Sequence, residues 1–149
     1  METPARLRRV VLIDDNETTN FLNKHLLNKL GVTNEVLVFA DASEGYRYLW
    51  GEGRREADTG DPELVFVDLR MPGMDGVEFM EAWQALDPAR RGATKLAVLT
   101  TSLLPTDRDR VARFPGVEYL VKPLSREKLE RLLAEHFPHV RVPAPSQAN

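Results

Sequence analysis

The stretch at residues 64–76, LVFVDLRMPGMDG, joins an apolar run to one acidic residue and then to a loop. Its opening residues are apolar and rich in valine and phenylalanine, which is typical of a strand covered on both faces. Asp68 follows directly, and Pro72, Gly73 and Gly76 then predict a turn. A carboxylate therefore stands at the point where a buried strand is expected to reach the solvent.

The composition fits one globular domain that works in the cytoplasm. The 149 residues are 42% hydrophobic and 29% charged, and the net charge of −3 gives no general reason to bind nucleic acid. The absence of cysteine excludes disulfides and thiolate metal sites. No apolar run approaches the roughly 20 residues of a membrane span, and no signal-peptide segment follows the basic N-terminus. We therefore expect a cytoplasmic protein without membrane insertion.

Strand-like and helix-like segments alternate along the whole chain. Strand-like runs occupy residues 8–14, 35–40, 63–68, 95–100 and 117–121. Each is followed by a segment with helical spacing of its apolar residues or with helix-capping residues. Strands this apolar, separated by helices, predict an α/β fold with a parallel sheet covered on both faces. Right-handed crossovers then make the sheet doubly wound.

The same pattern sets the expected domain boundaries. Residues 1–7 are predicted as an N-terminal leader, and residues 8–137 as the domain. Residues 138–149 contain several prolines and few apolar residues, so they are predicted as a flexible C-terminal tail. Two polar stretches, at residues 51–62 and 85–94, are predicted as connections.

Five polar residues follow the apolar runs. Asp14 and Asp15 end the first strand, Asp68 the third, Thr100 the fourth and Lys122 the fifth. Because ligands bind beyond the carboxyl ends of parallel strands, we expect these side chains to converge at one edge of the sheet. Three carboxylates in a small space raise one another's pKa unless a cation is bound. Mg²⁺ prefers carboxylate, water and phosphate oxygens, so the pattern predicts a magnesium site suited to phosphate chemistry.

Together with their neighbours, these residues form a set that is characteristic of one family: Asp14, Asp15, Asp68 within VDLRMPGMDG, Thr100, Tyr119 and the pair Lys122-Pro123. The set resembles the receiver domain of two-component response regulators, of the stand-alone, chemotaxis-type kind. The resemblance covers residues 8–137. It implies a flavodoxin-like fold, with five parallel strands in the order 2-1-3-4-5 and five helices.

The resemblance also implies a role for each acidic residue. Asp68 becomes the phosphoacceptor, a nucleophile that forms an aspartyl phosphate. Asp15 and Asp68 would hold Mg²⁺ together with the backbone carbonyl of Arg70, and Asp14 would contribute through water.

Three further positions complete the expected site. Lys122 and Thr100 would donate hydrogen bonds to the phosphoryl group, and Thr100 and Tyr119 would form a switch. The peptide bond between Lys122 and Pro123 would be cis. The protein would not be an enzyme in the usual sense, but a phosphoacceptor that assists its own phosphorylation and dephosphorylation.

The implied function is phosphorelay signalling. The phosphoryl group would come from a histidine kinase or histidine phosphotransfer protein, and its arrival would switch binding to an unidentified downstream protein or be relayed onward. The first predicted helix carries more apolar residues than one buried stripe requires, namely Phe21, Leu22, Leu26 and Leu27. We expect one or more of them to be exposed for docking of the phosphodonor, although all four could instead belong to the core.

Two other functions stay open at this point. The chain could be a constitutive receiver-like interaction module, although none of the five polar positions is lost. It could also be a Mg²⁺-dependent phosphatase, but Arg70 stands where such an enzyme needs a second acid. Two departures from the family bear on the rates: Thr101 adds bulk where receivers usually carry a very small residue, and Arg70 is a large cation at a variable position, where it could attract the phosphodonor or shield the acyl phosphate from water.

Overall fold

The computed structural model describes residues 6–51 and 63–143. The strands in these ranges are β1 (Arg9–Ile13), β2 (Val36–Phe39), β3 (Glu63–Val67), β4 (Thr94–Thr100) and β5 (Glu118–Val121). The helices are α1 (Glu17–Leu30), α2 (Ala42–Trp50), α3 (Gly76–Gln84), α4 (Pro88–Arg91), α5 (Pro105–Ala112) and α6 (Arg126–His136).

All five strands pair in parallel in the order β2-β1-β3-β4-β5, which confirms the predicted topology. Alternate residues of the central strands point to opposite faces of the sheet. Leu12 and Phe66 pack in a core cluster with residues of α1 and α6. Ile13 and Val67 pack in a second cluster with residues of α2, α3 and α5. The two clusters show that the sheet is doubly wound.

The ends of α1 agree with the capping residues in the sequence. The Asn16 side chain accepts a hydrogen bond from the Thr19 backbone N–H, and Gly31 closes the helix in the left-handed conformation. Because Asn16 is the cap, Asp15 is not needed to begin the helix. Its exposed carboxylate is therefore available to the edge of the sheet.

The structure has six helices in the described ranges, and five were expected. The additional helix, α4, lies inside the connection predicted at residues 85–94. Pro88 at its first position has a backbone angle suited to a helix start. The helix spans four residues and buries none of them, so it leaves no apolar periodicity in the sequence.

Packed side chains extend slightly beyond the predicted domain boundaries. Leu7, assigned to the leader, is fully buried in the core. Val140, within the predicted tail, is 3% exposed and packs against the cluster of α1 and α6. Residues 1–5, 52–62 and 144–149 lie outside the described part of the chain. Within the described part, no helix is both long enough and apolar enough to cross a membrane.

Candidate functional site

The sheet brings the predicted site residues to one edge. Asp14 follows β1, Asp68 follows β3, Thr100 ends β4 and Lys122 follows β5. Backbone hydrogen bonds continue past the strands here: the Asp68 N–H donates to the Ile13 carbonyl at 3.0 Å, and the Lys122 N–H donates to the Thr100 carbonyl at 2.7 Å. Main-chain hydrogen bonds therefore fix the backbone from which the Asp68 and Lys122 side chains extend.

The three predicted acidic residues form a cluster. Asp14, Asp15 and Asp68 each offer a carboxylate oxygen, and these oxygens lie within 4.8 Å of one another. Asp14 is buried, and its backbone carbonyl accepts a hydrogen bond from the buried Asn20 side chain at 2.7 Å. Asp15 is exposed at the rim. The cluster thus has a buried floor and a side that is open to solvent.

Lys122 lies between two of these carboxylates. Its ammonium donates to Asp14 Oδ2 at 2.5 Å and is 3.3 Å from Asp68 Oδ2. Burial alone would lower the pKa of Lys122, but the hydrogen bond to Asp14 and the charges of Asp68 and Asp14 raise it overall. The lysine therefore stays charged at neutral pH. The Lys122–Pro123 peptide bond is cis, as expected.

The environment of Asp68 favours a bound cation. Burial raises the pKa of the Asp68 carboxyl, the nearby Asp14 charge raises it further, and the Lys122 ammonium opposes both. A hard divalent cation would relieve this repulsion, and the carboxylate oxygens present are the ligands that Mg²⁺ prefers. The residues therefore fit the predicted magnesium ion, with Asp14, Asp15 and Asp68 as its acidic ligands.

The two predicted switch residues meet at Ser102. The buried Thr100 hydroxyl oxygen accepts a hydrogen bond from the Ser102 N–H at 3.3 Å. The Tyr119 hydroxyl donates to the Ser102 carbonyl at 2.8 Å. The Arg108 guanidinium lies over the Tyr119 ring, 4.6 Å from its centroid. Thr100 and Tyr119 are thus connected through one residue of the loop between β4 and α5.

Asp107 makes a further set of contacts at this edge that the sequence does not predict. Asp107, in the first turn of α5, is 3% exposed and accepts hydrogen bonds from Ser102 Oγ at 2.5 Å and from Arg70 Nη2 at 2.6 Å. The Ser102 hydrogen bond and the Arg70 guanidinium lower the pKa of Asp107 although burial opposes them. Arg70 and Asp107 are far apart in the sequence, so local spacing carries no signal for the pair.

The outward face of α1 is partly apolar. Phe21 is 70% exposed and Leu22 is 58% exposed, whereas Leu26 is half-buried and Leu27 is fully buried. The alternative that all four residues belong to the core is therefore wrong. The two exposed side chains lie in the first two turns of the helix that begins just after Asp15.

Comparisons with known proteins agree with this geometry. The family model of the response regulator receiver domain matches residues 10–134. The chain is 33% identical over 129 residues to the probable methanogenesis regulatory protein FilR2 of Methanothrix harundinacea, covering 85% of this chain and 79% of that protein. It is 29% identical over 147 residues to the sensor protein GacS of Pseudomonas syringae, covering 97% of this chain but 15% of the sensor.

The fold is shared with solved structures. A response regulator receiver protein from Dyadobacter fermentans superposes with a TM-score of 0.76 at 25% identity, and the match covers 87% of this chain and 98% of that one. The family match spans most of the chain, from the second residue of β1 to the last turn of α6. This chain therefore belongs to the family of response regulator receiver domains of two-component signalling.

Proposed function

We propose that this receiver accepts a phosphoryl group on Asp68 in a Mg²⁺-dependent reaction, and that the modification switches protein binding or is relayed onward. One observation supports the proposal above the others. The Asp68 carboxylate lies at the end of a buried strand with two further carboxylates and the Lys122 ammonium beside it. This is an arrangement suited to positioning a phosphoryl group and balancing its charge.

In the proposed reaction, a carboxylate oxygen of Asp68 attacks the phosphorus of a phosphohistidine. The new oxygen–phosphorus bond forms as the nitrogen–phosphorus bond breaks, and the electron pair returns to the imidazole nitrogen. Strand β3 and the Leu69 N–H, which donates to Asp68 Oδ1 at 2.8 Å, orient the nucleophile. Mg²⁺, when bound, supplies positive charge that offsets the charge on the transferring oxygens.

The residues beside Asp68 at this edge of the sheet would hold the magnesium ion and the phosphoryl group. Asp15 and Asp68 would bind the magnesium ion together with the backbone carbonyl of Arg70, and Asp14 would contribute through water. Lys122 would donate a charge-assisted hydrogen bond to the phosphoryl group, and Thr100 a neutral one. The protein assists its own phosphorylation and the later loss of the phosphate, and it turns over no separate substrate.

The phosphodonor is a histidine kinase or a histidine phosphotransfer protein that docks on α1. The exposed Phe21 and Leu22 provide an apolar surface next to the site, which suits a partner that presents its own apolar helix face. The downstream partner is also a protein, since the net charge of −3 offers no general attraction for nucleic acid. We place this signalling in the cytoplasm.

Intact-mass measurement after incubation with acetyl phosphate and Mg²⁺ tests the proposal. The wild type should gain the mass of one phosphoryl group, and Asp68→Asn should gain none. Asp109→Asn, a change of the same kind at an exposed position of α5, should behave like the wild type. Equal labelling of Asp68→Asn would remove Asp68 as the acceptor, and an unlabelled wild type would favour a constitutive interaction module.

A second variant tests the metal site. Asp15→Ala should weaken Mg²⁺ binding in a calorimetric titration, because it removes an exposed carboxylate of the acidic cluster. It should also leave the metal-free protein at least as stable, since the remaining carboxylates repel less. Unchanged affinity for Mg²⁺ would show that the ion binds elsewhere.

A further inference from the structure

Asp107 is a buried carboxylate that the proposed phosphorylation chemistry does not use. Its side chain is 5% exposed, and one oxygen, Oδ2, accepts both the Arg70 and the Ser102 hydrogen bonds. Arg70 follows the phosphoacceptor by two residues, and Ser102 belongs to the loop that contains both switch contacts. Asp107 therefore joins the loop after β3 to the loop after β4 through a single atom.

Ser102 is constrained from several sides at once. Its hydroxyl donates to Asp107, its N–H donates to Thr100 Oγ1, and its carbonyl accepts from the Tyr119 hydroxyl. The Ser102 hydroxyl oxygen also accepts from the Leu104 N–H, at the residue that precedes α5. Release of the Asp107 contact would therefore loosen the loop at Ser102 and, through the Leu104 hydrogen bond, the start of α5.

The Arg70 side chain is free to exchange partners. It is 64% exposed, whereas the Asp107 side chain that it contacts is almost fully buried. A phosphoryl group on Asp68 is a dianion close to Arg70 in the chain, and a guanidinium binds phosphate oxygens in the same forked geometry as carboxylate oxygens. Two anions would then compete for one flexible cation.

We propose that Arg70 carries the phosphorylation signal to α5 by exchanging Asp107 for the phosphoryl group, and that Asp107 is the positioning residue that holds Ser102 until this exchange. The proposal rests on phosphorylation of Asp68. It adds a second connection between the phosphoacceptor and α5, which meets the one through Thr100 and Tyr119 at Ser102.

Loss of Arg70 would not leave the buried carboxylate without a cation. Arg110 Nη1, one turn along α5, lies 3.8 Å from Asp107 Oδ1. It can move closer as Arg70 departs, and this would shift the contacts of Asp107 toward its own helix. A buried charge that changes partners costs far less than one that is left unpaired.

NMR spectroscopy of the full chain can follow this exchange directly. The readouts are the Arg70 side-chain Nε–H signal and the backbone amides of Ser102 and Asp107, recorded before and after addition of Mg²⁺ and beryllofluoride, a phosphoryl mimic. The variants are Arg70→Gln, Arg70→Lys and Asp107→Asn. Arg113→Gln, which removes one charge from an exposed position at the end of α5, is the matched control.

In the wild type and in Arg113→Gln, the mimic should shift all three signals. Arg70→Gln keeps the backbone carbonyl proposed as a metal ligand, and it should lose most of the shift at Asp107. Arg70→Lys should recover part of this shift because the charge is kept. Asp107→Asn should show Ser102 near its activated position before the mimic is added. These variants should fold, because Arg70 is exposed and asparagine is close to aspartate in shape.

The negative outcomes distinguish the two proposals. If no protein, including the wild type, responds at Asp68 to the mimic, the phosphoacceptor assignment fails. If the wild type responds at Asp68 while the Arg70 signal stays unchanged, or if Arg70→Gln shifts Asp107 as far as the wild type does, the exchange of partners is wrong.

Discussion

Lys122 lies closer to Asp14 than to the proposed phosphoacceptor Asp68: its ammonium is 2.5 Å from the first carboxylate and 3.3 Å from the second. The lysine thus neutralises the acidic pair at the position where a divalent cation would also act. The two cations would repel each other, and in the proposed reaction both hold the phosphoryl group. Removal of the Lys122 charge should therefore strengthen metal binding and slow phosphorylation.

Lys122→Met should bind Mg²⁺ more tightly, by roughly 3- to 10-fold, because a competing positive charge is removed. The same variant should be labelled by acetyl phosphate about 10-fold more slowly or worse, because a charge-assisted hydrogen bond to the phosphoryl group is lost. Calorimetry and intact-mass time courses measure the two effects. Lys29→Met, at an exposed position in the last turn of α1, is the control. A fall in Mg²⁺ affinity would contradict the competition.

Asp68→Asn should stabilise the metal-free protein at neutral pH. The pKa of Asp68 is raised above 3.8 in the folded protein, chiefly by burial. Its contribution to stability is therefore fully present below the unfolded pKa and is lost as the pH rises through the folded pKa. The amide carries no such charge, so the variant avoids this loss.

Urea unfolding in the presence of a chelator checks this expectation. At about pH 7 the variant should be more stable, by on the order of 1 kcal/mol or less, and the difference should shrink at about pH 3. A gain that is the same at both pH values would show that the effect does not come from the charge. Asp109→Asn again provides the control at an exposed position.

A charge placed on the apolar surface of α1 should slow phosphoryl transfer from the protein donor but not from acetyl phosphate. Phe21→Glu should slow transfer from the cognate phosphodonor about 10-fold or more. In the proposed complex the Phe21 ring would be buried against the partner, and the substitution would place an unpaired charge there. Labelling by acetyl phosphate should not change. Gln84→Glu adds a negative charge at an exposed position of α3, away from α1, and should affect neither reaction.

Equal losses with both donors would indicate misfolding of Phe21→Glu, and an undiminished transfer rate would place the docking surface elsewhere. Leu22→Glu gives an independent measurement, since Leu22 is also largely exposed. If α1 is the docking surface, both substitutions should impair the same reaction.

The sheet was predictable because its strands are short apolar runs that end on polar residues. Asp14, Asp68, Thr100 and Lys122 each follow or end such a run, and the parallel order alone then brings them to one edge. The helix α1 was predictable for a similar reason, since Gly31 and the apolar spacing mark its end and its inner face.

The remaining features depend on contacts that local patterns do not record. The ion pair of Arg70 with Asp107 forms only after β3 and β4 are adjacent, and in the sequence Asp107 is one acid among several charges of PTDRDR. Helix α4 is too short to show a period. The burial of Leu7 and Val140 reflects cover from neighbouring elements, which a single apolar residue in a polar stretch does not predict.

Thr100 and Tyr119 should affect the phosphorylation-dependent binding of a partner more than they affect phosphorylation itself. Both contact Ser102, so a phosphoryl group that draws the Thr100 hydroxyl toward itself would release the Ser102 N–H and alter the carbonyl that Tyr119 binds. The change need only favour an arrangement that already exists as a minor population.

Tyr119→Phe should accept phosphate normally and lose most of the phosphorylation-dependent gain in affinity for a captured partner, because its ring stays and its hydrogen bond is gone. Thr100→Ala should lose the same gain, with somewhat slower labelling. If both variants keep the full gain, Thr100 and Tyr119 do not transmit the signal, and a relay that passes the phosphoryl group onward becomes the better account of this receiver.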